Sequence, residues 1–204
     1  MFVKHTTWYF MSKSGKTRNY IMQKSFDLIY QNGYQATSID DIVATTDLTK
    51  GAFFYHFKNK EEMGINIINE LLYPSMYDMM VRPMESSTDP LSDIYEMMEM
   101  LLTDTSFFNV DYGCPAINLI EEMSPISNSF KKALSKLVTA WHDSIVSALR
   151  SAQSLGVVKP HVSPEQVAII IISGYGGVRT LGKVMGRSAY KTYLGGLKTY
   201  LTQL

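Results

Sequence analysis

Thr49-Lys50-Gly51-Ala52 sets a hydroxyl, an ammonium and two minimal side chains on consecutive positions. At the start of a helix, that set suits the approach of a nucleic acid. Thr49 can cap the first turn, Lys50 can meet a phosphate or a base edge, and Gly51 and Ala52 let the backbone come close. Tyr55, His56, Lys58 and Lys60 follow downstream, and Thr37 and Ser38 precede with further hydroxyls. Nucleophilic chemistry has a poorer foundation. Cys114 is the single cysteine, so neither an intrachain disulfide nor a cysteine metal cluster can form. It lies near a predicted helix start but among apolar residues with no adjacent cation, the setting of an inert thiol. The one catalytic alternative is a small helical enzyme pairing Cys114 with a histidine, and nothing in the sequence orients such a pair. The expectation is therefore a binding protein with no catalytic residue, no metal and no cofactor.

The elements that must position Thr49–Lys60 are legible as periodicity and caps. Between Thr17 and Gln31, apolar residues fall at Ile21, Met22, Phe26, Leu28, Ile29 and Tyr30, a helical stripe stopped by Asn32-Gly33. Ser38 can cap a second, short helix, with Asp41 completing a capping box. That helix ends near Thr46, and Asp47-Leu48 makes a tight corner. Thr49 then caps a third helix, Lys50 to His56. A fourth starts near Asn59, runs through Glu70, and is expected to kink or end near Pro74. Helix, short helix, tight turn and short helix form the three-helix DNA-binding arrangement. The whole chain has zero net charge, but Lys13 to Lys60 carries seven Lys/Arg against four Asp/Glu. A basic face can thus exist without a basic protein.

Beyond Pro83, Ser86-Ser87 and Asp89-Pro90, read as a loop, helical segments are expected at 90–104, 115–123, 126–154, 164–185 and 188–203. The longest carries an apolar face at Phe130, Leu134, Leu137, Trp141, Ile145 and Ala148. Strand signals are weak. The fold class is all-α: an N-terminal three-helix, homeodomain-like helix-turn-helix domain and a C-terminal helical domain, about nine helices in all. The expected divisions are an extension at 1–14, a DNA-binding domain at 15–62 with its motif at 38–57, and the second domain at 63–204. Residues 1–10 read as an upstream extension from start-site choice, since Met11 opens a polar, basic stretch. No apolar run reaches membrane-span length and no secretory segment opens the chain, so a cytoplasmic location without membrane contact is expected.

The stretch from Thr17 to Met63 resembles the N-terminal domain of the tetracycline-repressor (TetR/AcrR) family. The matching residues are Gly33-Tyr34, Thr37-Ser38, Ile42-Val43, Leu48 through Phe57, and Lys58-Asn59-Lys60-Glu61-Glu62-Met63. The resemblance implies a helix-turn-helix reading a palindromic double-stranded operator. It implies phosphate contacts from Thr37, Ser38, Tyr55, His56, Lys58 and Lys60, and base-facing roles for Thr49, Lys50, Gly51 and Phe53. The family's usual phosphate-contacting tyrosine is Phe54 here, so that contact moves to Tyr55 and Phe54 is assigned to packing. Gly113 through Ser124 resembles a motif of one subgroup, supporting a C-terminal ligand-binding and dimerisation region. Ligand candidates there are Met97, Met100, Phe107, Phe108, Trp141 and Tyr175, with Asn118, Glu121 and His142 as polar groups to orient a small effector. The family dimer interface implied is the last two helices. Gly174, Gly176 and Gly177 cost roughly 1 kcal/mol each relative to Ala within a helix, and close approach of a partner helix would compensate. The function implied is a homodimeric repressor released from its operator by a small apolar molecule; the alternative is the same fold answering to a protein partner.

Overall fold

The computed structural model describes residues 12–105 and 108–204. Phe107 and the proposed extension at 1–10 lie outside them. Among the described residues there are nine helices and no strand. The first three are α1 (Lys13–Asn32), α2 (Ile39–Ala44) and α3 (Lys50–His56). The fourth, α4, is one helical run over 60–85. The remainder are α5 (Pro90–Thr103), α6 (Pro115–Met123), α7 (Asn128–Ser154), α8 (Pro164–Met185) and α9 (Arg187–Leu201).

The starts of the helices are written in side chains. Ser12, Ser38, Thr49, Asn59, Asp89 and Ser163 each accept a backbone N–H of the following first turn. α1 ends at Gly33, whose φ of 92° and ψ of 157° suit glycine alone and whose N–H returns to the Ile29 carbonyl. α8 turns into α9 through Gly186, at φ 68°.

α4 departs from expectation. Pro74 is expected to kink or end it and Pro83 to lie in a loop, yet the run stays helical through Glu85. Each proline sits two residues beyond a π-helical turn, Ile68–Leu72 and Tyr77–Val81. Tyr73 donates its N–H to Ile68, and Arg82 donates to Tyr77, five residues back in each case. The widened turn makes room for a ring that carries no N–H and would otherwise strike the carbonyl one turn earlier.

The chain forms two compact units. Among the described residues, the first runs as far as Pro74 and takes in Pro115–Leu134, so the 62/63 boundary read from the sequence does not coincide with it. Its core joins Ile21, Phe26, Ile42, Phe53, Phe57 and Met63 to Leu119 and Phe130. The second comprises Ser75–Cys114 and Ser135–Leu204. There α5, α8 and α9 bury Met98, Leu101, Ile171, Tyr175, Tyr190 and Leu197. All six residues of the predicted α7 face are buried.

α8 also differs from the sequence reading, because by length and composition it is apolar enough to cross a membrane, with a hydropathy of 1.3. Part of that surplus is claimed by the second unit, where Val167, Ala168, Ile171 and Val178 are buried. The rest is exposed: Ile170, Leu181 and Val184 share one face with Gly174 and Gly177 at three- and four-residue steps, and Ile169 stands beside it.

Candidate nucleic-acid interface

Two caps fix the corner between α2 and α3. The Ser38 hydroxyl accepts the Asp41 N–H at 3.1 Å, and the Asp41 carboxylate accepts the Ser38 N–H at 2.8 Å and its hydroxyl at 2.6 Å. These bonds hold the Asp41 carboxyl below its ordinary value. At α3, the Thr49 hydroxyl accepts the Ala52 N–H at 3.2 Å. Phe53 and Phe57 pin the other side of α3 into the core, their rings 5.5 Å apart.

What remains outside is a polar and aromatic face. Thr49, Lys50, Gly51, Phe54 and Tyr55 are exposed, Tyr55 at 77%. A methyl group at Gly51 would meet only the Thr49 hydroxyl, at an ordinary 3.7 Å. Nothing within the protein therefore demands glycine there. Lys50 pairs with Asp40 of α2 at 2.7 Å, an exposed bridge of small worth that a phosphate can replace. Ser38 and Lys58 are exposed as well. His56 is half-buried, and burial, with the Arg18 charge second, pushes its pKa below the ordinary imidazole value. Arg18 itself grips Glu70 of α4 in a two-point bridge at 2.6 and 2.7 Å and lies over the Phe57 ring.

Four sequence expectations are corrected here. Phe53, expected to face bases, is 1% exposed and is a core residue, while Phe54, expected to pack, is exposed. Thr37, expected at a phosphate, is 1% exposed and donates its hydroxyl to the Gly33 carbonyl at 2.7 Å. Lys60 is occupied too: it donates to the carbonyls of Tyr34 and Thr37, both at 2.9 Å, and its ammonium sits 4.4 Å from the Tyr34 ring centre. Lys60 ties down the loop between α1 and α2, and burial lowers its pKa.

The candidate effector residues fall in different places. Met97, Phe108, Trp141 and Tyr175 are buried in the second unit, and Met100 and His142 are half-buried there. The His142 ring contacts Asp143 at 2.9 Å. Asn118 and Glu121 belong to the first unit, with Glu121 exposed. Its neighbour Glu122 does the structural work, a role that sequence reasoning missed. Both of its carboxylate oxygens accept backbone N–H groups, from Tyr34 at 2.9 Å and Gln35 at 2.7 Å. Arg179, also missed, is buried in the second unit.

A capped helix-turn-helix with one open face is the arrangement of a DNA-binding protein. The comparisons say the same of the particular chain. The profile described as bacterial regulatory proteins, tetR family, matches residues 21–64. The tetracyclin repressor-like C-terminal domain matches 90–194, half of the chain. The chain belongs to the TetR family. It is 29% identical over 158 residues to an HTH-type transcriptional regulator from the lacX 3' region of Lactococcus lactis, covering 78% of this chain and 80% of that protein. It is 21% identical to the transcriptional repressor DhaR of a Mycobacterium species, covering 78% and 79%. Among solved structures, a TetR-family regulator from Cytophaga hutchinsonii superposes with a TM-score of 0.83 at 19% identity, covering 95% of this chain and 97% of that one. The reduced form of Escherichia coli NemR gives 0.79 at 19%, covering 90% and 96%. At such identities the structures show the fold alone.

Proposed function

We propose that this protein is a cytoplasmic repressor that binds a palindromic operator as a homodimer and is released by a small-molecule effector. The observation that carries the reading is the α3 face. Thr49, Lys50, Gly51, Phe54 and Tyr55 stand open on a helix held rigidly by two caps and two buried phenylalanines. Thr49, Lys50 and Gly51 enter the major groove, while Ser38, Tyr55, His56 and Lys58 fix the register on phosphates.

The two-fold partner is a second copy docked on α8 and α9. The exposed stripe Ile169, Ile170, Leu181, Val184 and Met185 supports this. So does Gly177, where nothing lies within 4 Å of the position a methyl group would take. Gly174 has a different reason to be glycine, since an added methyl would come within 2.5 Å of the Tyr193 hydroxyl of the same chain.

The effector binds in the second unit and alters the presentation of the two heads. Ligand and operator then weaken each other reciprocally. α4 and α7 each contribute residues to both units, which makes them the natural carriers of the signal. Footprinting on the promoter DNA beside the protein's own gene tests the reading. A protected two-fold symmetric site is the expected result, and no protection at any palindrome there would remove it.

A further inference from the structure

α8 buries a cation without giving it an anion. Arg179 is 1% exposed, and no carboxylate forms an ion pair with it among the described residues. Its Nη2 donates to the Leu101 carbonyl in the last turn of α5. Its Nε donates to the Tyr175 hydroxyl at 3.3 Å and its Nη1 to the Tyr190 hydroxyl at 3.2 Å. The rings of Phe108, Tyr175 and Tyr190 lie 4.6, 5.3 and 5.2 Å from the guanidinium carbon. Burial pushes the Tyr175 phenol far above its ordinary value, so that partner stays neutral.

Rings and a helix-terminal carbonyl soften a buried charge, but they do not match it. A guanidinium offers five N–H donors, and these bonds account for three. If packing alone were needed, an apolar side chain would fill the space without the cost of desolvating a charge. A second buried donor is close by. Trp141 is 5% exposed and stands edge-on to Tyr175 at 5.5 Å, and its indole N–H has no hydrogen-bond partner among the described residues.

There is also an approach. A groove of about 440 Å³ runs between α5 and α9, lined by Leu102, Leu194 and Tyr190, with Arg187 and Lys191 set against the single acid Glu99. Tyr190 therefore belongs to two places at once. It lines the groove, and its hydroxyl holds Arg179.

We propose that Arg179 anchors a small organic carboxylate that enters from the α5–α9 groove past Tyr190. This rests on the reading that the protein answers to a small effector, and it narrows that effector from an apolar molecule to an acid with a compact apolar tail. The carboxylate displaces the Tyr190 hydroxyl and takes the guanidinium in a two-point pairing. The tail lies against the rings of Phe108 and Trp141, and the indole N–H supplies a further donor. A neutral isostere leaves the cation uncompensated and is rejected.

The test uses the purified full-length chain with benzoate, phenylacetate and hexanoate, each beside its primary amide. Binding is read by thermal shift and by tryptophan fluorescence in a Trp8→Phe background, so that Trp141 alone reports. Release is read on the operator DNA. The expected result is that at least one acid raises the melting temperature and perturbs Trp141 while its amide does neither. Arg179→Lys should weaken that acid about tenfold or more, because the planar fork is lost. Tyr190→Phe, which removes the competing hydroxyl and keeps the ring, should tighten it about threefold; this variant carries the test if Arg179→Lys does not fold. No binding by any of the acids, equal binding of acid and amide, or affinity indifferent to both substitutions would overturn the proposal. If a neutral compound releases the DNA whatever stands at 179, the effector reading survives and only the anion site falls. If neither these probes nor a neutral metabolite library releases it, both fall.

Discussion

Glu122 of α6 holds the backbone of Tyr34: one carboxylate oxygen accepts the Tyr34 N–H at 2.9 Å, and the other accepts that of Gln35 at 2.7 Å. The loop between α1 and α2 is thus satisfied by a side chain from a helix 87 and 88 residues away in sequence. Lys60 fastens the same loop through its carbonyls. Glu122→Ala should cost about 1–3 kcal/mol, since two N–H groups lose a charged acceptor. Urea unfolding measures the cost, and a midpoint equal to the wild type would show the bonds to be idle.

Lys50→Ala and Tyr55→Ala should weaken operator binding while leaving fold stability within about 0.5 kcal/mol, because both side chains are exposed. Gel shifts at several salt concentrations separate the two contacts. A phosphate contact removed lowers the salt slope by about one, whereas a lost base contact relaxes sequence preference. Unchanged shifts for both variants would remove α3 as the reading helix.

Gly51→Ala should separate fold from function. The added methyl meets only the Thr49 hydroxyl at 3.7 Å, so the free protein should gain up to about 1 kcal/mol of helix stability. Operator affinity should fall, because the methyl stands where duplex DNA approaches. Thermal melting and gel shift on one preparation check both halves.

The Asp41 carboxyl titrates below its ordinary 3.8 because Ser38 hydrogen-bonds its charged form. A depressed folded value means the stabilisation is complete above the unfolded value and is lost as pH falls through the folded one. Ser38→Ala should move the Asp41 titration back toward 3.8, followed by NMR of the carboxyl carbon. A titration that stays in place would mean the cap contributes nothing to it.

Val184 is 87% exposed at the centre of no intrachain packing, so Val184→Lys should leave the monomer's helices intact. In the proposed homodimer it should shift the equilibrium toward monomer in sedimentation at micromolar concentration and weaken operator binding in proportion, as two half-sites lose their tether. A dimer as tight as wild type would move the interface off this stripe.

Much of the head was legible because its signals are local. Ser38 and Asp41 stand three apart, Thr49 and Lys50 precede Gly51 and Ala52, and Gly33 follows the last apolar position of α1. The facing of individual residues was less legible, since a short helix gives too few turns to fix its phase. Phe53 and Phe54 exchange roles for that reason, and Thr37 and Lys60, expected at phosphates, are claimed by backbone carbonyls, that of Gly33 four residues back for Thr37 and those of Tyr34 and Thr37 more than twenty residues back for Lys60. Helical geometry did contain the choice between Glu121 and Glu122. Leu119 is buried, and a residue three further on lies beside it whereas one two further on lies opposite. Arg179 likewise falls on the buried row that includes Ile171, Tyr175 and Val178, a phase more informative than its charge.

The two widened turns of α4 also set a count. Each spends one residue more than a regular coil covering the same rise, and one residue is worth about 100° of rotation about the axis. Side chains after Leu72, and again after Val81, therefore point about 100° away from where uninterrupted winding would aim them. Deleting a single residue from either turn would yield a straighter rod that meets its proline squarely, with buried Met84 swung out toward water. In this stretch, chain length is as strict a requirement as residue type.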